Sequence, residues 1–172
     1  MRYRAIIALL LITQLMCLGC SGSLGGVLNT QEGWSDAQVY QYFDKQSDIF
    51  GFSSQLKADG YKYIKIPFVI LPTYDGRISP NNTLANGGGN CAAYCKLYEG
   101  FIEYKRCADN YYEYQMVQKS LDNHMILVIR IADSYYEVSN LNLTQYPSKE
   151  IILDKWRKNG YNFIDESKVW NK

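Results

Sequence analysis

A cysteine that follows three glycines and a single histidine further along are the residues of this chain best suited to chemistry. Gly87, Gly88 and Gly89 lead through Asn90 into Cys91, after which the pattern turns helical. A helix N-terminus carries about half a positive charge, which favours thiolate over thiol, and its free backbone N–H groups can hold an oxyanion. Glycines before the thiol remove side chains from the approach, so a substrate backbone has room to come close. His124 is the only histidine, and imidazole is the side chain suited to taking a thiol proton near neutral pH. Each residue also has a plainer reading, Cys91 as a buried structural thiol and His124 as a cap on a strand edge. Residue types alone leave both readings open.

The elements that would position this pair are legible on either side of it. Tyr94, Leu97, Tyr98, Phe101 and Ile102 recur at three- and four-residue spacing, which predicts an amphipathic helix from Cys91 to about Lys105. His124 opens an apolar run to Ile131 that predicts a strand buried on both faces. Its face through Ile126 and Val128 is expected to bring His124 toward the helix N-terminus. A turn at Ala132-Asp133-Ser134 leads into a second strand, Tyr135 to Leu141, forming a hairpin. Upstream, Ser35 and Gln38 have capping-box spacing and start a helix reaching Gln46 or Phe50, with Val39, Tyr42, Phe43 and Phe50 on its apolar side. Tyr61 to Leu71 reads as extended and 72–90 as a loop rich in Gly, Pro and Asn. Tyr111 to Leu121 fits either a strand or a helical piece, 148–160 suggests a short helix, and the C-terminus gives no clear pattern. Helices first, then the cysteine helix, then antiparallel strands make an α+β domain over residues 34–172.

The first twenty residues are of another kind. Arg2 and Arg4 precede an apolar run from Ala5 to Leu18. That run is about 14 residues, short of the ~20 that span a bilayer but right for the core of a signal peptide. It ends in Cys17-Leu18-Gly19-Cys20, which resembles a bacterial lipoprotein signal. The resemblance implies removal of residues 1–20, a lipid on Cys20, and a membrane anchor at the cell envelope facing the periplasm or exterior. Residues 21–33 then read as a flexible tether. A secretory signal cleaved nearby without a lipid is the alternative.

Three cysteines remain in the body, Cys91, Cys95 and Cys107, an odd number that leaves at least one free thiol. On one helix Cys95 and Cys107 would lie about 18 Å apart at 1.5 Å per residue, too far for a disulfide. Both are expected to be buried and reduced. A formal net charge of +1 gives no basis for a nucleic-acid surface. One histidine and three scattered cysteines do not make a zinc site, and no cofactor is implied.

The stretch Ser79-Pro-Asn-Asn-Thr-Leu-Ala-Asn-Gly-Gly-Gly-Asn-Cys-Ala-Ala-Tyr-Cys-Lys96 resembles the bacterial transglutaminase-like cysteine proteinases. Their pattern reads Thr-Pro-x-Glu-Thr-Leu-x-x-Gly-x-Gly-Asp-Cys-Glu-Asp-Tyr-Ala. A second block, His124 to Arg130 and then Tyr135 to Leu141, is similar to that family's histidine strand and its hairpin return ending in Asp-Asn. The resemblance implies a papain-like/transglutaminase-like fold, its nucleophile at the N-terminus of a helix packed on an antiparallel sheet. It implies Cys91 as nucleophile and His124 as general base, acting on an amide in a protein or peptide through an acyl-Cys91 intermediate. The family's triad aspartate falls on Ser139, with Asn140 beside it. A hydroxyl can orient the imidazole but cannot stabilise imidazolium as a carboxylate does. An Asn amide serves that role in papain-like enzymes, so Asn140 is the alternative if the strand bulges by one residue.

The acids that flank the family's nucleophile are Asn90, Ala92 and Ala93 here, which removes the hard oxygen ligands calcium needs and a force that would raise the thiol pKa. The missing aspartate supports a second reading, an inactive lipoprotein that keeps the fold as a binding module at the envelope. A cell-wall peptidase of another papain-like branch would use the same Cys–His chemistry, with a weaker resemblance around Cys91.

Overall fold

Asparagine and serine side chains begin most of the helices. The computed structural model describes residues 33–64, 79–118 and 123–171. The first helix, α1 (Asp36–Phe43), has the capping box its sequence predicts, Ser35 and Gln38 each bonding the other's backbone N–H. It stops at Phe43, short of the expected end. The chain turns through a polar stretch and restarts as α2 (Ile49–Ala58), where Asp48 accepts from the N–H groups of Phe50 and Gly51 at 2.9 and 2.8 Å. Phe50 is therefore not on the apolar side of α1. It lies at the exposed start of α2, its ring 5.0 Å from that of Tyr136.

Of the extended stretch expected from Tyr61, residues 61–64 are described and contain β1 (Lys62–Tyr63); the remainder lies outside the described residues. The expected loop at 72–90 contains a short helix, α3 (Pro80–Ala85), with Ser79 as its cap and Pro80 in its first turn. Next comes β2 (Gly88–Gly89), which pairs in parallel with β1, Lys62 against Gly88 and Tyr63 against Gly89. The helix α4 (Cys91–Lys105) has the bounds its periodicity predicts. Asn90 caps it, its side chain accepting from the Ala93 N–H at 3.0 Å.

The rest of the fold is one antiparallel sheet of five strands in the order β6-β5-β4-β3-β7. Its strands are β3 (Asn110–Gln118), β4 (Asn123–Ile131), β5 (Ser134–Ser139), β6 (Asn142–Tyr146) and β7 (Tyr161–Asn171). The undecided segment at Tyr111 is thus a strand, and so is the C-terminus. A helix, α5 (Lys149–Lys158), stands where the short helix was expected. The strand expected to run to Leu141 ends at Ser139, because Asn140 and Leu141 are the loop of a tight hairpin into β6. Asn140 takes φ 55° there, a left-handed conformation that asparagine tolerates better than most residues.

Strand β4 is buried on both faces, and the two faces meet different helices. Met125, Leu127 and Ile129 pack with the core of α1, α2 and α4, where Phe52 and Phe101 stack with ring centroids 4.1 Å apart. Ile126 and Val128 pack instead with Ile152 and Leu153 of α5. The fold is α+β, with the cysteine helix packed on one face of an antiparallel sheet. The described residues fall within one compact unit, Glu32–Lys172, and no helix among them is long and apolar enough to cross a membrane. Residues 1–20 with Cys20, and the tether up to residue 32, lie outside the described residues.

Candidate active site

Cys91 is the first residue of α4 and partly buried. The backbone N–H groups of Met125, Ala92 and Cys91 itself lower the thiol pKa. Burial acts the other way and is the larger effect, so the thiol pKa lies above its ordinary value. Burial thus opposes the thiolate that the helix N-terminus favours. The phenol of Tyr63, on β1, is close enough to feel a charge on Cys91, while burial is the main cause of its own raised pKa.

The glycines before Cys91 have a different reason from the one expected. Gly88 has φ +149°, and a Cβ there would meet the Lys62 carbonyl oxygen at 2.0 Å. A Cβ on Gly89 would meet that of Ala93 at 2.4 Å. What comes close to these glycines is the chain's own β1, with the Ile64 N–H donating to the Gly89 carbonyl at 2.9 Å. Tyr94 of α4 fastens the same strand, its hydroxyl donating to the Lys62 carbonyl at 2.8 Å.

His124 lies at the start of β4, on the face shared with Ile126 and Val128. That face meets α5 rather than α4, so the expectation that it turns toward the nucleophile helix is not met. The part of β4 that reaches Cys91 is the backbone N–H of Met125, the next residue along. The ring of His124 is held by its Nε2, 3.0 Å from the Ser139 hydroxyl oxygen. It packs against Trp156 of α5 with centroids 4.8 Å apart, and Tyr161 lies 6.2 Å away. Burial lowers its pKa below the usual histidine value; the charge of Glu137 raises it and that of Lys155 lowers it.

Among the described residues no hydrogen bond joins Cys91 to His124, whose contact through Nε2 is with Ser139. Of the two residues considered as a third member, Ser139 contacts the ring. No register shift separates Val138 from Ser139 in the β5–β6 pairing, so the bulge that would bring Asn140 round is absent there. The Asn140 Oδ1 is buried with no hydrogen-bond partner among the described residues.

Behind Cys91 the same helix carries a second thiol and a charged cluster. Cys95 is fully buried, and burial pushes its thiol pKa well up. Cys107 is only partly buried, not enclosed as expected. Lys96 Nζ lies 2.7 Å from Glu99 and 2.8 Å from Glu113, and both carboxylates are buried. Cation ligation around Cys91 does not fit the residues present. Asn90 spends its side-chain oxygen on the helix cap, and Ala92 and Ala93 have none to offer. No group of three His, Cys, Asp or Glu placed to hold a metal ion occurs among the described residues.

Two residues that the sequence did not single out belong to this site. Glu137 is 1% exposed and lies on the same strand as Ser139, two residues before it. Trp156 donates from Nε1 to Glu137 at 3.0 Å. The period of two placed Glu137 and Ser139 on one face, a signal available in the sequence. No local signal announces that α5 lays Trp156 on the ring.

No family model matches this chain, and no curated protein matches it. A solved structure that resembles it is LapG of Legionella pneumophila in a calcium-bound form. The two are 9% identical over 77% of this chain and 73% of that one, with a TM-score of 0.47. A likeness of that size says nothing about activity.

Proposed function

We propose that this protein is an exported thiol-dependent amide hydrolase acting on proteins or peptides, with Cys91 as nucleophile and His124 as base. The observation that supports it most is the contact of the His124 ring with Ser139, beside a strand residue that acts on Cys91. Nε2 is engaged by Ser139, and the backbone of Met125, the next residue of the strand, is near enough to lower the Cys91 thiol pKa. Proton transfer requires the thiol and the ring to come within hydrogen-bond reach of each other.

In this reading the Cys91 thiol gives its proton to His124 Nδ1 as sulfur attacks the amide carbon. The carbonyl oxygen becomes an oxyanion beside the N–H groups at the start of α4. The C–N bond then breaks, the imidazolium returns the proton to the leaving amine, and an acyl-Cys91 thioester remains. Water attacks that thioester while His124 takes one of its protons, and the thiol is regenerated with release of a carboxylic acid.

The same geometry gives the second reading its support. With a raised thiol pKa and no carboxylate on the ring, a chain of this kind fits a non-catalytic binding module at the envelope. The separating experiment is active-site labelling with a peptide carrying a thiol-reactive carbonyl. Hydrolase chemistry requires Cys91 labelling that is lost in Cys91→Ala and reduced at least ~100-fold in His124→Ala. Labelling of Cys91 no faster than of a free peptide cysteine leaves the binding module standing. Location belongs to the same proposal: residues 1–20 direct export, and Cys20 takes a lipid that holds the domain at a membrane.

A further inference from the structure

The ring of His124 has a charged support on the side of α5. Glu137, enclosed at 1% exposure, receives three charge-assisted or indole hydrogen bonds from α5. Lys155 Nζ donates to its two oxygens at 3.0 and 2.9 Å, and Trp156 Nε1 donates at 3.0 Å. Lys155 is held in turn by the Tyr146 hydroxyl at 3.2 Å. Trp156 is thus pinned by the carboxylate at its Nε1 while its ring lies 4.8 Å from the imidazole, tilted by 35°. Tyr161 meets the indole edge-on at 5.0 Å and lies 6.2 Å from the imidazole.

A buried carboxylate is expensive to keep and is retained at such a position only when its bonds are satisfied. Here all three bonds come from two side chains of the one helix that covers the His124 face. We propose that Glu137 is a positioning residue for His124. It fixes the Trp156 ring against the imidazole and supplies at a distance the negative charge that Ser139, as a hydroxyl, does not. The inference rests on the reading of His124 as the base. Among the described residues, the groups that face the ring are Ser139 and Glu137 from β5, Lys155 and Trp156 from α5, and Tyr161 from β7; Met116 lies across from it on β3. Glu137 is the only carboxylate among them. Its effect on the imidazolium is favourable and that of Lys155 unfavourable, so the two can be separated by sign.

The chain's single histidine makes the test direct, because its ring Cε1 proton is an unambiguous reporter in an NMR titration of the full chain without substrate. Glu137→Gln should move the His124 titration to lower pH. Lys155→Gln alters a side chain that is 40% exposed, so it serves if the buried substitution prevents folding, and it should move the titration to higher pH. A folded variant of either kind that titrates as the unaltered protein does, or shifts in the opposite sense, overturns the proposal. Because the readout needs no turnover, it is independent of the hydrolase reading. Shifted titrations with no Cys91 labelling would sink that reading and leave only the coupling of Glu137 to the His124 ring. Labelling with unshifted titrations would do the reverse.

Discussion

The Nε2 of His124 lies 3.0 Å from the hydroxyl of Ser139. A carboxylate in that place can only accept, so it holds the ring in one tautomer and gains strength when the ring becomes charged. A hydroxyl both accepts and donates, and so orients the ring without choosing its tautomer. Ser139→Ala is therefore expected to lose orientation but no charge, lowering kcat on the order of tenfold with little change in KM. Ser139→Asp should raise kcat above that of the unaltered protein and move the His124 titration to higher pH. Kinetics with a peptide substrate decide it; an aspartate variant no better than the alanine one would deny Ser139 the third position.

Thiol reactivity against pH checks the resting state of Cys91. Burial lifts the thiol pKa above its ordinary value and lowers that of His124, so both groups are neutral at neutral pH. The thiolate fraction then grows as pH rises toward the raised pKa. Alkylation of Cys91 by iodoacetamide, followed by mass spectrometry to separate it from Cys107, should climb continuously from about pH 6 to pH 9. A fast rate already level near pH 5–6 would mean a preformed thiolate–imidazolium pair.

Gly88 and Gly87 differ in a way that stability measurements can read. At Gly88 a Cβ would meet the Lys62 carbonyl at 2.0 Å, whereas at Gly87 (φ +65°) nothing lies within 4 Å. Gly87→Ala should cost only the left-handed backbone penalty, about 1 kcal/mol. Gly88→Ala must also push β1 away, and a loss of about 3 kcal/mol or more is expected in urea unfolding. Equal losses at the two positions would mean that β1 does not hold its place against Gly88.

Anchoring through Cys20 is separable from the fold. Expressed in a bacterial host, the full chain should partition with membranes and yield an N-terminal peptide carrying a lipid on Cys20. Cys20→Ala should release the domain from the membrane fraction without altering its thermal unfolding. A mature N-terminus elsewhere, with no lipid mass, would leave export by an ordinary signal as the route.

Much of the scaffold around Cys91 was legible because its signals are local. The 3.6-residue spacing from Tyr94 to Ile102 gave α4 its bounds, and the apolar run after His124 gave β4. Ser35 and Gln38 marked the start of α1. Where the reading failed, a local signal was either ambiguous or overlooked. The polar turn before Asp48 carries neither Gly nor Pro, so the first helix was expected to run on to Gln46 or Phe50 and α2 was not foreseen. Ser79-Pro80 was a usable start signal for α3, hidden among loop-forming residues.

What the sequence by itself determined is which residues have the chemistry and which elements carry them: a thiol at a helix start, an imidazole at a strand start, a hydroxyl at a strand end. The tertiary structure decided how they face each other. A strand apolar on both sides has no marked outer face, so only the packing of α4 and α5 shows that His124 turns toward Trp156 while Met125 turns its N–H to Cys91. The three glycines likewise look alike in sequence. It takes the approach of Lys62 to show that Gly88 makes room for the chain's own β1. Both outcomes depend on contacts between segments distant in the chain, and the spacing of residues within one segment carries no record of them.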